Sequence, residues 1–323
     1  HLERPWARAR MPRMSRVIFI GTPEFPVPSL RTLIDTQEVL GVVTQPDRPA
    51  GRGRRLQPPP VKVVAEEAGI PVYQPRSLRP EEAAGPLYDW QPDAIVVAAF
   101  GQILRPHVLE LPPKGCINVH ASLLPRWRGA SPIQHAILAG DAQTGITLMQ
   151  MDVGMDTGPI YTQEATAITA GDTSASLHDR LAELGAEMVG RNLDDILHGR
   201  LQPQIQDSDL ATYAPMIKKE AGRIDWTQSA AAIERHIRAM TPWPGAFTQW
   251  EGQNLKILNA HLLPEITLNI QPGTVSQQDE DLVVQTGSGV LALDQVQLAG
   301  KKAISTAAFV RGRPQFNGAV LGP

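Results

Sequence analysis

The sequence runs to 323 residues, longer than a usual single domain, so two domains are expected. With 42% hydrophobic and 20% charged residues it has a globular composition with ample core, and its formal net charge of −3 offers nucleic acid no global attraction, leaving any RNA contact to local basic patches. A single cysteine excludes an internal disulfide framework and fits a reducing compartment, and no run of about eighteen apolar residues marks a membrane span.

In chain order, residues 1–14 carry several Arg against one acid, Glu3, and are read as a disordered or upstream-derived tail preceding a start at Met11 or Met14, rather than as a targeting remnant. Val17–Ile20 is a short apolar run ending in Gly21-Thr22-Pro23, with Leu30, Leu33 and Ile34 following at helical spacing. A strand, a turn and a helix open a Rossmann-like unit. Glu24-Phe25-Pro26 occupies the place of the later glycines of G-x-G-x-x-G, which argues against a dinucleotide cofactor. Strands at Val39–Thr44, Ala94–Ala99 and Ile117–His120, with helical patterns at Val61–Ala68 and Arg105–Leu109, imply a mostly parallel sheet covered on both faces. In such sheets ligands gather at the carboxyl ends of strands.

Between the second strand and its helix lies PDRPAGRGRRLQPPPVK, Pro46–Lys62, in which Arg48, Arg52, Arg54 and Arg55 crowd around Gly51 and Gly53. Its Gly and Pro content predicts irregular backbone, either a mobile solvated loop or a basic loop that docks on phosphates and stacks on unpaired bases. Cys116-Ile117-Asn118-Val119-His120 is β-branched at alternate positions, a short strand on which Asn118 and His120 share a face. An amide beside an imidazole at a strand end suits a developing oxyanion and a moving proton, although a strand His is more often structural. The chain then turns through Pro125 and Gly129 into a helix near Ile133–Leu138. Ile146–Met151 reads as a strand and Asp152–Gly158 as a Gly-interrupted turn in which Asp152 is a capping residue. Ile160–Ile168 reads as a hairpin arm, and a helix from Thr173, capped by Asp172, sets Leu177, Leu181, Leu184 and Met188 on one face.

Residues 201–218 lose periodicity and read as a linker between a domain over 15–200 and another over 219–323. The second domain offers one helix near Ser229–Met240, then strands at Ala246–Trp250, Leu255–Ala260, Leu282–Gln285 and Val290–Leu293, a pattern for a small barrel. Its Lys218, Lys219, Arg223, Lys301, Lys302, Arg311 and Arg313 are either a basic surface or scattered solubility charges. The eight His and one Cys show neither H-E-x-x-H nor paired C-x-x-C spacing, so no metal site is expected.

Asn118-x-His120, Ser122-Leu123-Leu124-Pro125, Gly129, and Asp156 within Met151–Gly158 together resemble the signature of the folate-dependent formyltransferases. Similar stretches run from Gly21-Thr22-Pro23 through Thr44–Pro49 to Ile224-Asp225-Trp226 and Pro242-Trp243-Pro244, and over its full length the pattern is closest to the members that act on methionyl initiator tRNA. The resemblance implies a Rossmann-like catalytic domain followed by an OB-like β-barrel that binds tRNA. It implies formyl transfer from 10-formyltetrahydrofolate to the α-amine of methionyl initiator tRNA, releasing tetrahydrofolate. It assigns Asn118, His120 and Asp156 to catalysis, with Asp156 accepting a hydrogen bond from His120. Folate is expected along Ser122, Leu123, Leu124 and Pro125 and near Phe100-Gly101-Gln102-Ile103-Leu104, and tRNA at Arg48, Arg52, Arg54 and Arg55, foremost Arg52. A monomer in the bacterial cytoplasm is expected, with an organelle matrix as second choice. Two prolines, Pro26 and Pro28, depart from the family pattern where the first helix begins, and the last twenty residues match loosely. The rival readings are a glycinamide ribonucleotide or nucleotide-sugar formyltransferase, the hydrolase portion of a formyltetrahydrofolate dehydrogenase, a silent RNA-binding relative and, least of all, a dehydrogenase.

Overall fold

The structure, a computed structural model, describes residues 14–51 and 53–322. The tail expected over 1–14, Met14 apart, and the favoured tRNA residue Arg52 lie outside the described residues. The chain divides into two compact units, one running to Pro125 and including Ile146–Glu164 and Leu181–Leu210, the other made of Arg126–Gly145, Ala165–Arg180 and the chain from Ala211 onward.

The first strand, β1 (Arg16–Gly21), buries Val17 to Ile20 completely and leads into α1 (Val27–Thr36). The two prolines do not prevent this helix: Pro26 is its N-cap and Pro28 sits in the first turn, where a missing N–H costs nothing. There follow β2 (Glu38–Val43), β3 (Arg48–Ala50), β4 (Arg55–Gln57), α2 (Pro60–Glu67), β5 (Val72–Tyr73), α3 (Gly85–Trp90), β6 (Ala94–Ala98), α4 (Pro106–Leu109) and β7 (Cys116–His120). After α5 (Pro132–Ala139) come β8 (Gln143–Gln150), β9 (Ile160–Ala167) and α6 (Ser174–Leu197).

Seven of these strands form one sheet in the order β5-β2-β1-β6-β7-β8-β9. The pairings of β1 with β2 and β6, of β2 with β5 and of β6 with β7 are parallel, and that of β7 with β8 is antiparallel. Strand order reverses between β1 and β6, so the loops leaving their carboxyl ends diverge and open a crevice. The loop after β7 emerges one strand away. The unbroken apolar runs of β1, β6 and β7 are what a strand covered on both faces requires.

Cys116 shows how dry the start of β7 is. It is fully buried, with Sγ 3.7 Å from the Val108 carbonyl oxygen and 3.8 Å from that of Leu109, and burial pushes its thiol up to about 12. At about pH 8 the native protein is therefore expected to leave a disulfide reagent such as DTNB untouched until denaturant is added. Stoichiometric colour release from the folded protein within minutes would contradict this placement.

The segment expected to be irregular contains a two-stranded antiparallel hairpin, β3 with β4, pairing Arg48 with Gln57 and Ala50 with Arg55. The glycines that read as disorder supply its turn chemistry: Gly51, Gly53 and Arg54 have φ of 71°, 101° and 49°, the left-handed backbone that reverses a chain tightly. At its base the Asp47 carboxylate accepts hydrogen bonds from Gln74 Nε2 at 2.7 Å and from Lys62 Nζ at 3.1 Å.

The second unit carries α7 (Ala230–Met240), then β10 (Ala246–Trp250), β11 (Gln253–Leu262), β12 (Val275–Gln278), β13 (Asp281–Gln285), β14 (Val290–Leu298), β15 (Ile304–Ser305) and α8 (Thr306–Gly312). Its antiparallel sheet has the order β10-β11-β14-β13-β12, with β15 on β14. The end strands are not left bare. Gln249 of β10 exchanges backbone hydrogen bonds with Gly322, and Val275 of β12 bonds Gly318 and Ala319, so the last residues bridge the two edges and satisfy groups that would otherwise face solvent. Trp250, Phe309 and Phe316 pack edge-to-face at centroid distances of 5.0 to 5.4 Å. The sequence alone missed β12 and α8, because VSQQ has a single apolar residue and TAAFVRG is too short to show a period.

The expected fold class is found: a Rossmann-like, mostly parallel sheet with helices, followed by an antiparallel sheet domain. Among the described residues no helix is long and apolar enough to cross a membrane.

Candidate active site

Alternation along β7 decides what its last residues present. Val119 turns to α6, which approaches so closely that a Cβ on Gly185 would stand 2.9 Å from Val119 Cγ1. Cys116, Asn118 and His120 therefore share the opposite face. Asn118 is paired in register with Met149 of β8 and His120 with Thr147. Both polar side chains are buried, Asn118 to 9% and His120 to 6% exposure.

The turn between β8 and β9 brings in the third group. Asp152 Oδ1 accepts from Gly154 N at 2.9 Å and Thr157 Oγ1 at 2.6 Å, which closes the first half of the turn. Asp156 then sits at φ 54° and places its Oδ1 3.7 Å from His120 Nδ1. At that distance the contact is one of charge and orientation, longer than a hydrogen bond. Such contacts commonly shorten when substrate binds. A carboxylate this close can hold the imidazole in one orientation.

Past β7, Ser122 is fully buried and Leu124 nearly so, in a loop whose Leu124–Pro125 peptide is cis. Two residues invisible to motif reading anchor it. Thr147 Oγ1 donates to the Ser122 carbonyl at 2.6 Å and accepts from Leu124 N at 3.1 Å, and Gln163 Nε2 donates to the Leu124 carbonyl at 2.8 Å. Both lie on neighbouring strands at spacings that no local pattern encodes.

Two cavities open beside these groups. One, of about 180 Å³, is a largely apolar slot lined by Gln102–Leu104, Met149 and the turn Met151–Asp156. The other, of about 610 Å³, is bordered by Gln45, Arg48, Arg76, Arg79 and Gly101, and shares Gln102 and Ile103 with the slot. Of the residues expected near folate, Gly101 lines the larger cavity, Phe100 is packed in the core, and Ser122 to Pro125 line neither. The methionines of the slot and Arg76 and Arg79 were not singled out by sequence. Among the described residues no group of three or more His, Cys, Asp or Glu is placed to hold a metal ion.

Of the expected tRNA residues, Arg48, Arg54 and Arg55 are all exposed on the β3–β4 hairpin, where Arg48 also hydrogen-bonds Gln45. Arg48 and Arg55 lie on one face of the hairpin, and Leu56, 66% exposed, lies on the other with Pro49.

Residues 15–193 match the family model described as formyl transferase, and residues 216–314 match that of the formyl transferase C-terminal domain. The chain belongs to the formyl transferase family. Among solved structures this formyl transferase resembles HypX from Aquifex aeolicus in complex with tetrahydrofolic acid, with TM-score 0.59 and 19% identity over 92% of this chain and 47% of that one. It also resembles WlaRD, a sugar 3N-formyl transferase in the presence of dTDP and 5-N-formyl-THF, with TM-score 0.65 and 18% identity over 90% of this chain and all of the other. A third is the N-formyltransferase from Helicobacter canadensis in complex with folinic acid and dTDP-3-aminofucose, with TM-score 0.63 and 20% identity over 87% and 99%. The chain spans about half the length of HypX, and at these identities the likeness is one of fold.

Proposed function

We propose that this formyl transferase moves the formyl group of 10-formyltetrahydrofolate onto the α-amine of methionine carried by initiator tRNA. The reading is carried by the meeting of Asn118 and His120 on one strand face with Asp156 Oδ1 3.7 Å from the imidazole. In the reaction the neutral amine attacks the formyl carbon, and its carbonyl oxygen becomes an oxyanion. The Asn118 amide and a ring N–H of His120 donate hydrogen bonds to that oxyanion. Collapse breaks the bond from carbon to folate N10, and the proton lost by the amine ends on N10, relayed by His120 with Asp156 holding the ring. The products are tetrahydrofolate and the formamide.

The apolar slot supports the folate half of the reading, because its largely apolar lining suits a flat heterocycle and Asp156 is among the residues that line it. The arginine-lined cavity that continues from the slot suits a co-substrate ending in carboxylates. Three structural neighbours, solved with tetrahydrofolic acid, 5-N-formyl-THF and folinic acid, support the same class. The tRNA half is supported by the hairpin and its exposed arginines, whose guanidinium groups suit phosphates and base faces.

The test is a formylation assay with methionyl initiator tRNA, charged elongator tRNA, a nucleotide-linked amino sugar and no acceptor. Transfer confined to the initiator is the expected result. Transfer to the sugar amine moves the chain to the sugar-modifying branch represented among its neighbours, and formate release without acceptor moves it to a hydrolase. If the initiator is the acceptor, Arg54→Glu and Arg55→Glu each raise KM for tRNA by about tenfold or more at low salt, with folate affinity unchanged. Unaltered tRNA kinetics would remove the hairpin from the acceptor site.

A further inference from the structure

We propose that Gln206 is a positioning residue for Asp156. It holds the turn that aims the carboxylate at His120 without touching the reacting atoms. The inference rests on the reading of Asn118, His120 and Asp156 as the reacting groups.

Asp156 is the one residue between 151 and 158 with positive φ, at 54°. A non-glycine side chain in that backbone region persists where its surroundings over-determine it. Gln206 supplies the constraint. Its Nε2 donates to the Asp156 carbonyl at 2.8 Å and to the Gly158 carbonyl at 2.7 Å, one amide NH2 spanning two acceptors across the turn. No other side chain of this length offers two neutral donors on one nitrogen: Glu has none when ionised, Met has none, and Asn is a methylene short.

The segment delivering Gln206 is built for this bond. Gln204 exchanges backbone hydrogen bonds with Ile160, at 2.7 and 2.8 Å, pinning the chain beside the start of β9 two residues earlier. Ile205 is then 92% exposed while Gln206 is buried to 7%. An apolar side chain left in water beside an amide taken out of it reverses the usual order, so apolar burial is not what places this segment. The bonds to the Asp156 turn are the compensation that a buried amide requires.

Two variants of the full chain test this: Gln206→Met, which keeps length and loses both donors, and Gln206→Ala, which loses both donors and leaves room for water should the first fold poorly. Single-turnover transfer per folded molecule is expected to fall by about 10- to 100-fold. The dissociation constant for 5-formyltetrahydrofolate should change less than about threefold, since the slot itself is intact. A merely structural role would instead lower melting temperature and the binding-competent fraction together, with the rate per folded molecule unchanged. Crystal structures of the wild type and the folded variant give a readout independent of the reaction. Asp156 should leave the left-handed region, with its carboxylate beyond about 5 Å from His120, outside close charge contact. An unmoved Asp156 with a wild-type rate overturns the proposal. If wild-type protein formylates no amine, the functional reading fails, and the Asp156 displacement still decides whether Gln206 sets that position.

Discussion

His120→Ala and Asn118→Ala are each expected to lower the single-turnover rate of formyl transfer by about 100- to 1000-fold, the loss seen when one donor to a developing oxyanion is removed. The expectation is large because both groups are already desolvated at the strand end, so their hydrogen bonds act where water does not compete. His120→Ala removes both the donor and the partner of Asp156, so its loss should match or exceed that of Asn118→Ala. Asp156→Asn keeps the turn and removes the charge, and is expected to slow transfer with little effect on folate affinity. Rapid-quench measurement of formyl transfer at saturating folate separates these effects. Rates within threefold of wild type for either alanine variant would remove Asn118 or His120 from the reaction.

The second large effect is on stability. Gly158→Ala is expected to destabilise the protein by about 3 kcal/mol, a fall of roughly 6–12 °C in Tm for a unit of this size. A Cβ at this position would stand 1.7 Å from the Gln150 carbonyl oxygen and 2.9 Å from its carbonyl carbon, both backbone atoms of β8 that cannot rotate away. The turn carrying Asp156 would have to lift off the strand, so transfer should fail together with the fold's local order. Gly154→Ala is the informative contrast. There the new Cβ meets the Thr157 hydroxyl at 2.0 Å, a side chain free to change rotamer, so the cost is set by the Thr157 bond to Asp152 and stays near 1 kcal/mol. Calorimetry on the two variants tests the distinction, and a Gly158→Ala protein melting with the wild type would show that the turn does not rest on β8 as described.

Much of the site was legible because its chemistry is local. Asn118 and His120 are two residues apart, so strand alternation alone puts them on one face, and the apolar runs of β1 and β6 announce a covered sheet whose strand ends collect ligands. The hairpin at Arg48–Gln57 was misread for the opposite reason: its strands are three residues long and wholly exposed, with no apolar face to set a period, and its glycines signal a turn as readily as disorder. Asp156 was found by motif, yet nothing local says that its backbone is left-handed, because aspartate adopts that region in only a minority of its occurrences.

By itself the sequence determined the alternation of strands and helices, the shared face of Asn118 and His120, and the concentration of arginine around Gly51 and Gly53. These follow from residue type at short spacing, which local sterics and burial translate directly into conformation. Only the tertiary structure decided that the last residues bridge β10 and β12, that Thr147 and Gln163 hold the loop after His120, and that Gln206, fifty positions beyond Asp156, grips its turn. Each is a directional bond between groups far apart in the chain, and the buried amide or hydroxyl that makes it looks, in one dimension, like any polar residue of a loop or strand.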